Sequence, residues 1–404
     1  PQFCAMQNQP TLKIEFIAIM ALLMSLVALS IDGILPALSV IGNDLGATDT
    51  KDHQLLITMI FLGLGFGQLI FGPLSDSFGR KPIIHIGFLV FAVASVICVN
   101  TDSYEVLIAG RILQGIGLAS PRTLSIAMIR DSYEGDYMAK VMSFIVMIFI
   151  LIPIIAPTLG QFLMLTYNWQ AIFNVQLGLG GLVIFWFWKR QPETLEVSNR
   201  IPFRGATLIS GFIEFFKHKQ AIAFTLISGF ITGSFMVYLS TSQYIFEVQY
   251  DLGDDFPLIF ASLAVGVGFA TYLNGVFVVR VGMKRIALLS LAAYTLSSLI
   301  YVLVFFSKVN PQLWVLLAFF ALQFAAVGFL FGNLRALAMQ PIGHIAGVGA
   351  AINGFISTAM GVLIASVIGA YINTTVWPLF LGFTVCGFAS MVIFLLNKPL
   401  ERTI

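Results

Sequence analysis

Gly72-Pro73-Leu74-Ser75-Asp76-Ser77-Phe78-Gly79-Arg80-Lys81 holds one acid, two bases and two glycines within ten residues, with long apolar runs on both sides. Those runs are too apolar to be loops. The charged cluster is therefore expected to be a short turn at a membrane surface, and the rest of the chain reads as membrane helices arranged around turns of this kind.

Of 404 residues, 58% are hydrophobic, only 10% are charged, and phenylalanine alone occurs 38 times. So few charges cannot cover the surface of a soluble protein. A spanning helix takes about 20 apolar residues, so twelve spans use roughly 240 and leave only short connections. The expected fold class is all-α integral membrane, with twelve transmembrane helices in two six-helix halves. The formal net charge of +2 carries little information, because placement matters more than the sum. Cys4, Cys98 and Cys386 are scattered and suggest neither a disulfide framework nor a metal site. Pro1–Ala5 precede the first methionine, Met6, and are set aside. The first apolar run continues as a full span, unlike a signal peptide.

Predicted spans run from about Lys13 to Ile41, His53 to Leu74, Pro82 to Asn100, Tyr104 to Ile129, Met138 to Leu165 and Trp169 to Trp188. Six more follow at about 221–246, 256–279, 286–306, 312–338, 345–372 and 376–396. The chain thus divides into a tail (1–12), an N-terminal half (13–188), a polar central loop (189–219), a C-terminal half (220–397) and a second tail (398–404). Arg80, Lys81, Arg130, Lys140, Arg280, Lys284 and Arg285 follow even-numbered spans, as do Lys189, Arg190, Arg200, Arg204, Lys217 and Lys219 of the central loop. Connections after odd-numbered spans hold only Lys51 and Lys308, and are acidic instead: Asp44, Asp49, Asp52, Asp102, Glu105, Glu247, Asp251, Asp254 and Asp255. Lysine and arginine concentrate on the cytoplasmic side of membrane proteins, which puts both termini in the cytoplasm. Arg280-Val281-Gly282-Met283-Lys284-Arg285 sits where Phe78-Gly79-Arg80-Lys81 sits in the first half. This internal echo suggests two related halves, as in repeat-built transporters.

A charge at a helix centre costs about 2.5–3.5 kcal/mol on insertion scales, so a partner or a function has to offset it. Asp32 is the one acid deep in a span, and Arg111 and Arg122 lie in the fourth. Asp32 and Arg111 fall at similar depths, roughly 10–15 Å in. Burial favours the neutral form of a carboxyl and a nearby cation its charged form, so substrate arrival can expel a proton. Asp32 is expected to be the proton carrier and Arg111 its partner, the plainer alternative being a fixed Asp32–Arg111 pair that locks two helices together. Arg122 comes eleven residues after Arg111, which returns to within about 20° of the same helical direction some one to two dozen ångströms further along. It reads either as a cavity cation for an anionic or acceptor-rich group, or as a side chain snorkelling toward water. Pro121 leaves the Gly117 carbonyl without its helical partner and is expected to bend the helix.

Phe235, Tyr238, Ser242 and Phe246 lie near one face of the seventh span, and Tyr272, Asn274, Asn333, Arg335, Asn353 and Met360 come from the eighth, tenth and eleventh. An aromatic and methionine lining with scattered amides suits amphipathic ligands of varied shape. Of these, Phe235, Tyr238, Ser242, Tyr272, Asn333, Asn353 and Met360 are taken, together with Arg122, as the substrate cavity; simple helix packing is the alternative for any single aromatic. In the opening stretch, Gly72 and Gly79 are expected to let backbones approach closely. Asp76 is expected to accept hydrogen bonds from Arg80 or from a helix start in the other half, so that Gly72, Asp76, Gly79, Arg80 and Lys81 form a gating latch. The sequence holds no Walker loop, zinc spacing or dinucleotide fingerprint, and His53, His85, His218 and His344 are isolated. Energy is then expected from an ion gradient, without a cofactor and without nucleic acid.

The Gly72–Lys81 stretch resembles the loop signature of the major facilitator superfamily, with Ser77 where a base is usual. Leu107-Ile108-Ala109-Gly110-Arg111-Ile112-Leu113-Gln114-Gly115 resembles that superfamily's motif whose arginine is tied to proton coupling. Ala156-Pro157-Thr158-Leu159-Gly160-Gln161 is a degraded form of its antiporter motif, which implicates Pro153, Pro157 and Gly160. Asp32-Gly33-Ile34-Leu35-Pro36-Ala37-Leu38 is similar to the first-helix signature of Bcr/CflA-type drug–proton antiporters, and Tyr238-Leu239-Ser240-Thr241-Ser242 and Pro192-Glu193-Thr194 point the same way. Arg122 and Arg335 have no place in that pattern.

The resemblance implies a monomeric, multi-pass transporter of the bacterial inner membrane that exports small amphipathic molecules against protons by alternating access, with antibiotic resistance as the outcome. The alternative is proton-driven uptake of an anionic metabolite or siderophore-like carboxylate with Arg122 as counter-ion. A membrane receptor would want a signalling tail, and a membrane enzyme a second acid or histidine near Asp32.

Overall fold

A chain this apolar must satisfy its backbone internally, and the α-helix does so within one segment. The computed structural model describes residues 14–397 except 134, 201–204, 254 and 307–308, and it is helical nearly throughout, with no strand among the described residues. Both tails, with Cys4, and also Arg204, Asp254 and Lys308 lie outside the described residues. The first six spans are α1 (Ile14–Asp32), α2 (Thr50–Phe78), α3 (Arg80–Asn100), α4 (Tyr104–Ser132), α5 (Gly135–Thr166) and α6 (Gln170–Arg190). The second six are α7 (Lys219–Gln243), α8 (Phe256–Val281), α9 (Met283–Val304), α10 (Leu313–Met339), α11 (Ala346–Gly369) and α12 (Trp377–Leu396). Eleven described helical segments are long and apolar enough to cross a membrane, and the apolar part of α5, Leu151–Thr166, is shorter. Outward faces stay apolar, as with Leu89, Val93 and Val96 of α3 and Leu289, Leu296 and Leu303 of α9. Such faces suit contact with lipid.

Three expectations about local structure need correction. The first span is not one helix. α1 ends at Asp32, a 3-10 turn covers Leu35–Ala37, and a short helix Leu38–Asp44 completes the crossing. Pro36 lacks the N–H an α-helix needs, and Gly33 accommodates the break. Asp32 is therefore the last residue of a helix interrupted inside the bundle. Second, the turn expected of the opening stretch is shorter than the whole charged cluster: α2 continues past Leu74 to Phe78, and the turn is Gly79 alone, with φ 101°. Gly282, with φ 89°, joins α8 to α9 in the same way. The internal echo in the sequence is thus a repeated one-residue turn that L side chains rarely adopt. Third, the polar central loop contains a helix, Gly205–Lys217. Its Phe215 is buried near Ile342 and Ile352, while Ile209, Ile213 and Phe216 face outward, a pattern suited to lying along a bilayer surface.

Glycines set how closely helices meet. A β-carbon on Gly63 or Gly115 would strike the carbonyl of Ile112 or Ile60, so α2 and α4 touch backbone to backbone. Gly117 and Gly87 bring α4 onto α3 in the same manner. Between the halves, α11 presents Gly347, Gly354 and Gly369 to Asp76, Gln68 and Gln54 of α2, and Gln54 Nε2 donates to the Gly369 carbonyl at 3.3 Å. At the acidic end of the bundle, Gln243 Nε2 reaches across from α7 to the Pro36 carbonyl and Ser39 Oγ, both at 3.1 Å. Gln161 donates to the Gly253 carbonyl at 3.2 Å on the α5–α8 side.

Candidate functional site

A cavity of about 450 Å³ lies between the halves. That volume falls within the usual range for small-molecule sites. Asp32 lines it from the break in α1 and is only 5% exposed. Among the described residues its carboxyl has no hydrogen bond and no ion pair, so its charge is met only by what enters the cavity. The break is held from behind: Gln176 Nε2 donates to the Leu29 carbonyl at 3.2 Å, and Gly160 packs on the backbone of Gly33. Pro153, also on α5, lines the cavity, whereas Pro157 is buried within the bundle.

The expected Asp32–Arg111 pair is not formed. Arg111 is fully buried and donates to the Ser30 carbonyl (3.0 Å), the Leu56 carbonyl (3.0 Å) and Gln114 Oε1 (2.8 Å). The planar guanidinium ties α1, α2 and α4 together, and it meets Asp32 only through the α1 backbone two residues earlier. Phe173 lies against it, 5.7 Å from ring centroid to guanidinium carbon. Equal depth did not bring the two charges together, because helix rotation turns them toward different neighbours.

The cavity wall takes in four of the residues expected there: Arg122, Phe235, Tyr238 and Asn353. Tyr238 stacks on Phe260 at 6.0 Å and meets Phe324 edge-on at 4.5 Å. Its hydroxyl is buried without a partner, within electrostatic reach of Asp32. Asn353 Nδ2 donates to Thr225 Oγ1 at 2.7 Å.

The other four expected lining residues sit elsewhere. Ser242 is buried and donates to the Leu239 carbonyl at 3.1 Å; Asn333 is buried and donates to Asn274 Oδ1 at 2.7 Å. Tyr272 is 68% exposed on the outer surface, and Met360 fills the space beside Gly229. Helical spacing singled out Ser242 and residue type the other three, but these spans are apolar on all sides, so neither says which face turns inward.

Sequence reading missed Gln68, Phe260, Phe324 and Phe331 as lining residues. Arg335, singled out as unusual but left out of the expected cavity, lines it from α10. Gln68 carried one signal, a lone amide in an apolar run; the phenylalanines carried none among so many.

At the basic end, Arg80 donates to Asp76 Oδ1 (2.5 Å), Ser75 Oγ (2.6 Å) and Asp131 Oδ2 (3.0 Å). Of the two arrangements expected of Asp76, the bond from Arg80 is formed; toward the other half Asp76 lies beside Gly347 at the start of α11, with no hydrogen bond between them among the described residues. Glu193 accepts from the backbone N–H groups of Arg80 and Lys81, at 2.9 and 3.0 Å, and so caps α3 from the segment after α6. Lys81 Nζ instead donates to the Trp188 carbonyl at 2.8 Å, which fastens α3 to α6 rather than to the other half. Gly72 has no neighbour that a β-carbon would meet, so the close approach expected there is absent.

The model of the Major Facilitator Superfamily matches residues 20–365. The bicyclomycin resistance protein homolog of Haemophilus influenzae is 28% identical over 96% of this chain and 97% of its own length. The multidrug resistance protein MdtL of Klebsiella pneumoniae is 27% identical over 91% and 92%. Among solved structures, a D-xylose–proton symporter is similar with a TM-score of 0.76 at 15% identity, covering 96% of this chain and 98% of its own, a likeness of fold alone. The superfamily resemblance read from Gly72–Lys81 and the Bcr/CflA-type resemblance read from Asp32–Leu38, Tyr238–Ser242 and Pro192–Thr194 agree with these matches.

Proposed function

The chain belongs to the Major Facilitator Superfamily, transporters rather than enzymes, and from that premise we propose that it exports small amphipathic, drug-like molecules in exchange for protons carried by Asp32. The single observation behind this reading is the Asp32 carboxyl, alone at a helix break and facing a cavity between the halves. An unpaired acid at that depth is costly to keep unless it is charged and discharged in use. A proton neutralises it when the cavity is empty. A substrate that brings positive or dipolar character to it releases the proton, and the two cargoes exclude one another.

Arg111 serves by holding the Ser30 carbonyl, and so the end of α1, against α2 and α4. Asp76, against the start of α11 and bonded to Arg80, acts as a latch at the basic end, which opens when the halves rock apart. The Gln243 bonds to Pro36 and Ser39 serve as the opposing closure. The chain works as a monomer in the bacterial inner membrane, with the basic end and both termini cytoplasmic and the proton gradient as its only energy source. Relatives named for drug resistance support export, and they do not favour the uptake alternative.

Proteoliposomes with an imposed pH gradient test the reading. Accumulation of a drug such as chloramphenicol should follow the gradient and vanish with an ionophore that collapses it. Transport that ignores the gradient, or an Asp32→Asn protein with full gradient-driven transport, rejects it.

A further inference from the structure

Arg122 of α4 and Arg335 of α10 come from opposite halves and line the same cavity as Asp32. Neither has an ion pair or a hydrogen bond among the described residues, and both line the one cavity. Among the described residues, the buried arginines are satisfied, Arg80 by three acceptors and Arg111 by three, and Asp32 is the buried charge left without a partner. Two unpartnered cations on one cavity, Arg122 half-buried and Arg335 exposed, offer an anion a place between them.

Their place along the bundle matters as much as their charge. Arg111 bonds the Ser30 carbonyl and so marks the level of Asp32 on α4. Arg122 is eleven residues further, on the order of 16 Å along the axis before side chains reach back. The acid and the arginine pair therefore occupy opposite ends of the cavity. Phe235, Phe260, Phe324 and Phe331 line the wall, and the unpartnered Tyr238 hydroxyl lies at the Asp32 end.

We propose that the preferred substrate is an aromatic zwitterion, with its carboxylate held between Arg122 and Arg335, its ring system against the phenylalanine wall, and its amine at Asp32. This rests on Asp32 being the exchangeable acid and supplies what that role needs. A pure anion would be repelled by ionised Asp32 and favoured by the protonated form, so it would travel with the proton. A zwitterion brings a cation to Asp32 and displaces the proton, while its acid end neutralises the arginines. Each arginine can engage a carboxylate oxygen through its planar fork.

The experiment is binding to the full chain in lipid nanodiscs by isothermal titration, using matched trios on several aromatic scaffolds. One such trio is ciprofloxacin (zwitterion), its methyl ester (acid masked) and its N-acetyl form (amine masked). The zwitterion should bind about tenfold or more tighter than either masked form, as expected for a charge-assisted contact at each end. Arg122→Gln or Arg335→Gln should abolish its advantage over the ester, and Asp32→Asn its advantage over the N-acetyl form. Arg→Lys at either position should retain part of it. If a glutamine variant does not yield a monodisperse protein, the trio preference of the unaltered chain and the lysine variants decides.

An ester that binds as well as the zwitterion, a preference untouched by the arginine substitutions, or no binding by any member of any trio overturns the proposal. Gradient-driven, Asp32-dependent export of uncharged chloramphenicol would survive that outcome. Conversely, a zwitterion preference without any gradient-driven transport would sink the exchange reading and leave the binding site.

Discussion

Gly160 of α5 sits so close to Gly33 that a β-carbon on it would overlap the Gly33 carbonyl oxygen, one residue beyond Asp32. This contact fixes where α1 breaks and hence where the carboxyl points. It also accounts for the one glycine kept in a stretch otherwise worn away from the antiporter pattern.

Gly160→Ala should push α5 off the break. Overpacking of this kind costs about 1–3 kcal/mol, and export should fall with it. Gly72→Ala, at a position where a β-carbon meets nothing, should leave melting temperature and transport nearly unchanged. Thermal unfolding in detergent together with vesicle transport measures both. The contrast goes against the prominence of Gly72 in the signature stretch.

Arg111→Lys should fail although it keeps the charge. A lysine cannot reach three acceptors on separate elements with one planar fork, and each buried acceptor left empty costs about 1–3 kcal/mol. Because Arg111 and Asp32 do not pair, Arg111→Gln and Asp32→Asn should show no mutual rescue. A double-mutant cycle on thermal stability should give a coupling within about 0.5 kcal/mol. A large coupling would restore the ion pair.

Asp32→Asn should separate binding from coupling. Counterflow of a neutral drug across vesicles needs only alternating access and should persist. Concentration driven by a pH gradient should be lost, and the remaining exchange should no longer change with pH. Internal and external drug measured at several pH values gives the answer.

Glu193→Gln should loosen the cap on α3. It weakens charge-assisted acceptance from two backbone N–H groups at a helix start, a loss of about 1–2 kcal/mol. Gly79→Ala should cost a similar amount, because φ there is 101° and a β-carbon would meet the Glu193 carboxylate. Both effects should appear in melting temperature, while drug binding in the distant cavity stays close to that of the unaltered chain.

The Asp32-bearing stretch shows how far one chain of letters reaches. Its resemblance pointed to the right superfamily, and Pro36 marked a place where an α-helix is hard to continue, yet the reading carried a single helix through it. The Glu193 cap likewise lay in a Pro192-Glu193-Thr194 segment noted only for its resemblance. What it holds, the start of α3 more than a hundred residues earlier, left no local trace.

Hydropathy, loop charge and a rise of about 1.5 Å per residue settle how many times this chain crosses a bilayer and how deep each residue lies, because depth along a helix follows from counting. Rotation about each helix does not follow from counting. The spans are apolar on all sides, and no polar stripe says which face is inward. Contacts such as Gly63 on Ile112, Gly160 on Gly33 and Gly354 beneath Gln68 decide the rotation. Only they send Arg111 to backbone carbonyls, leave Asp32 alone, and turn Arg122 and Arg335 into one shared cavity.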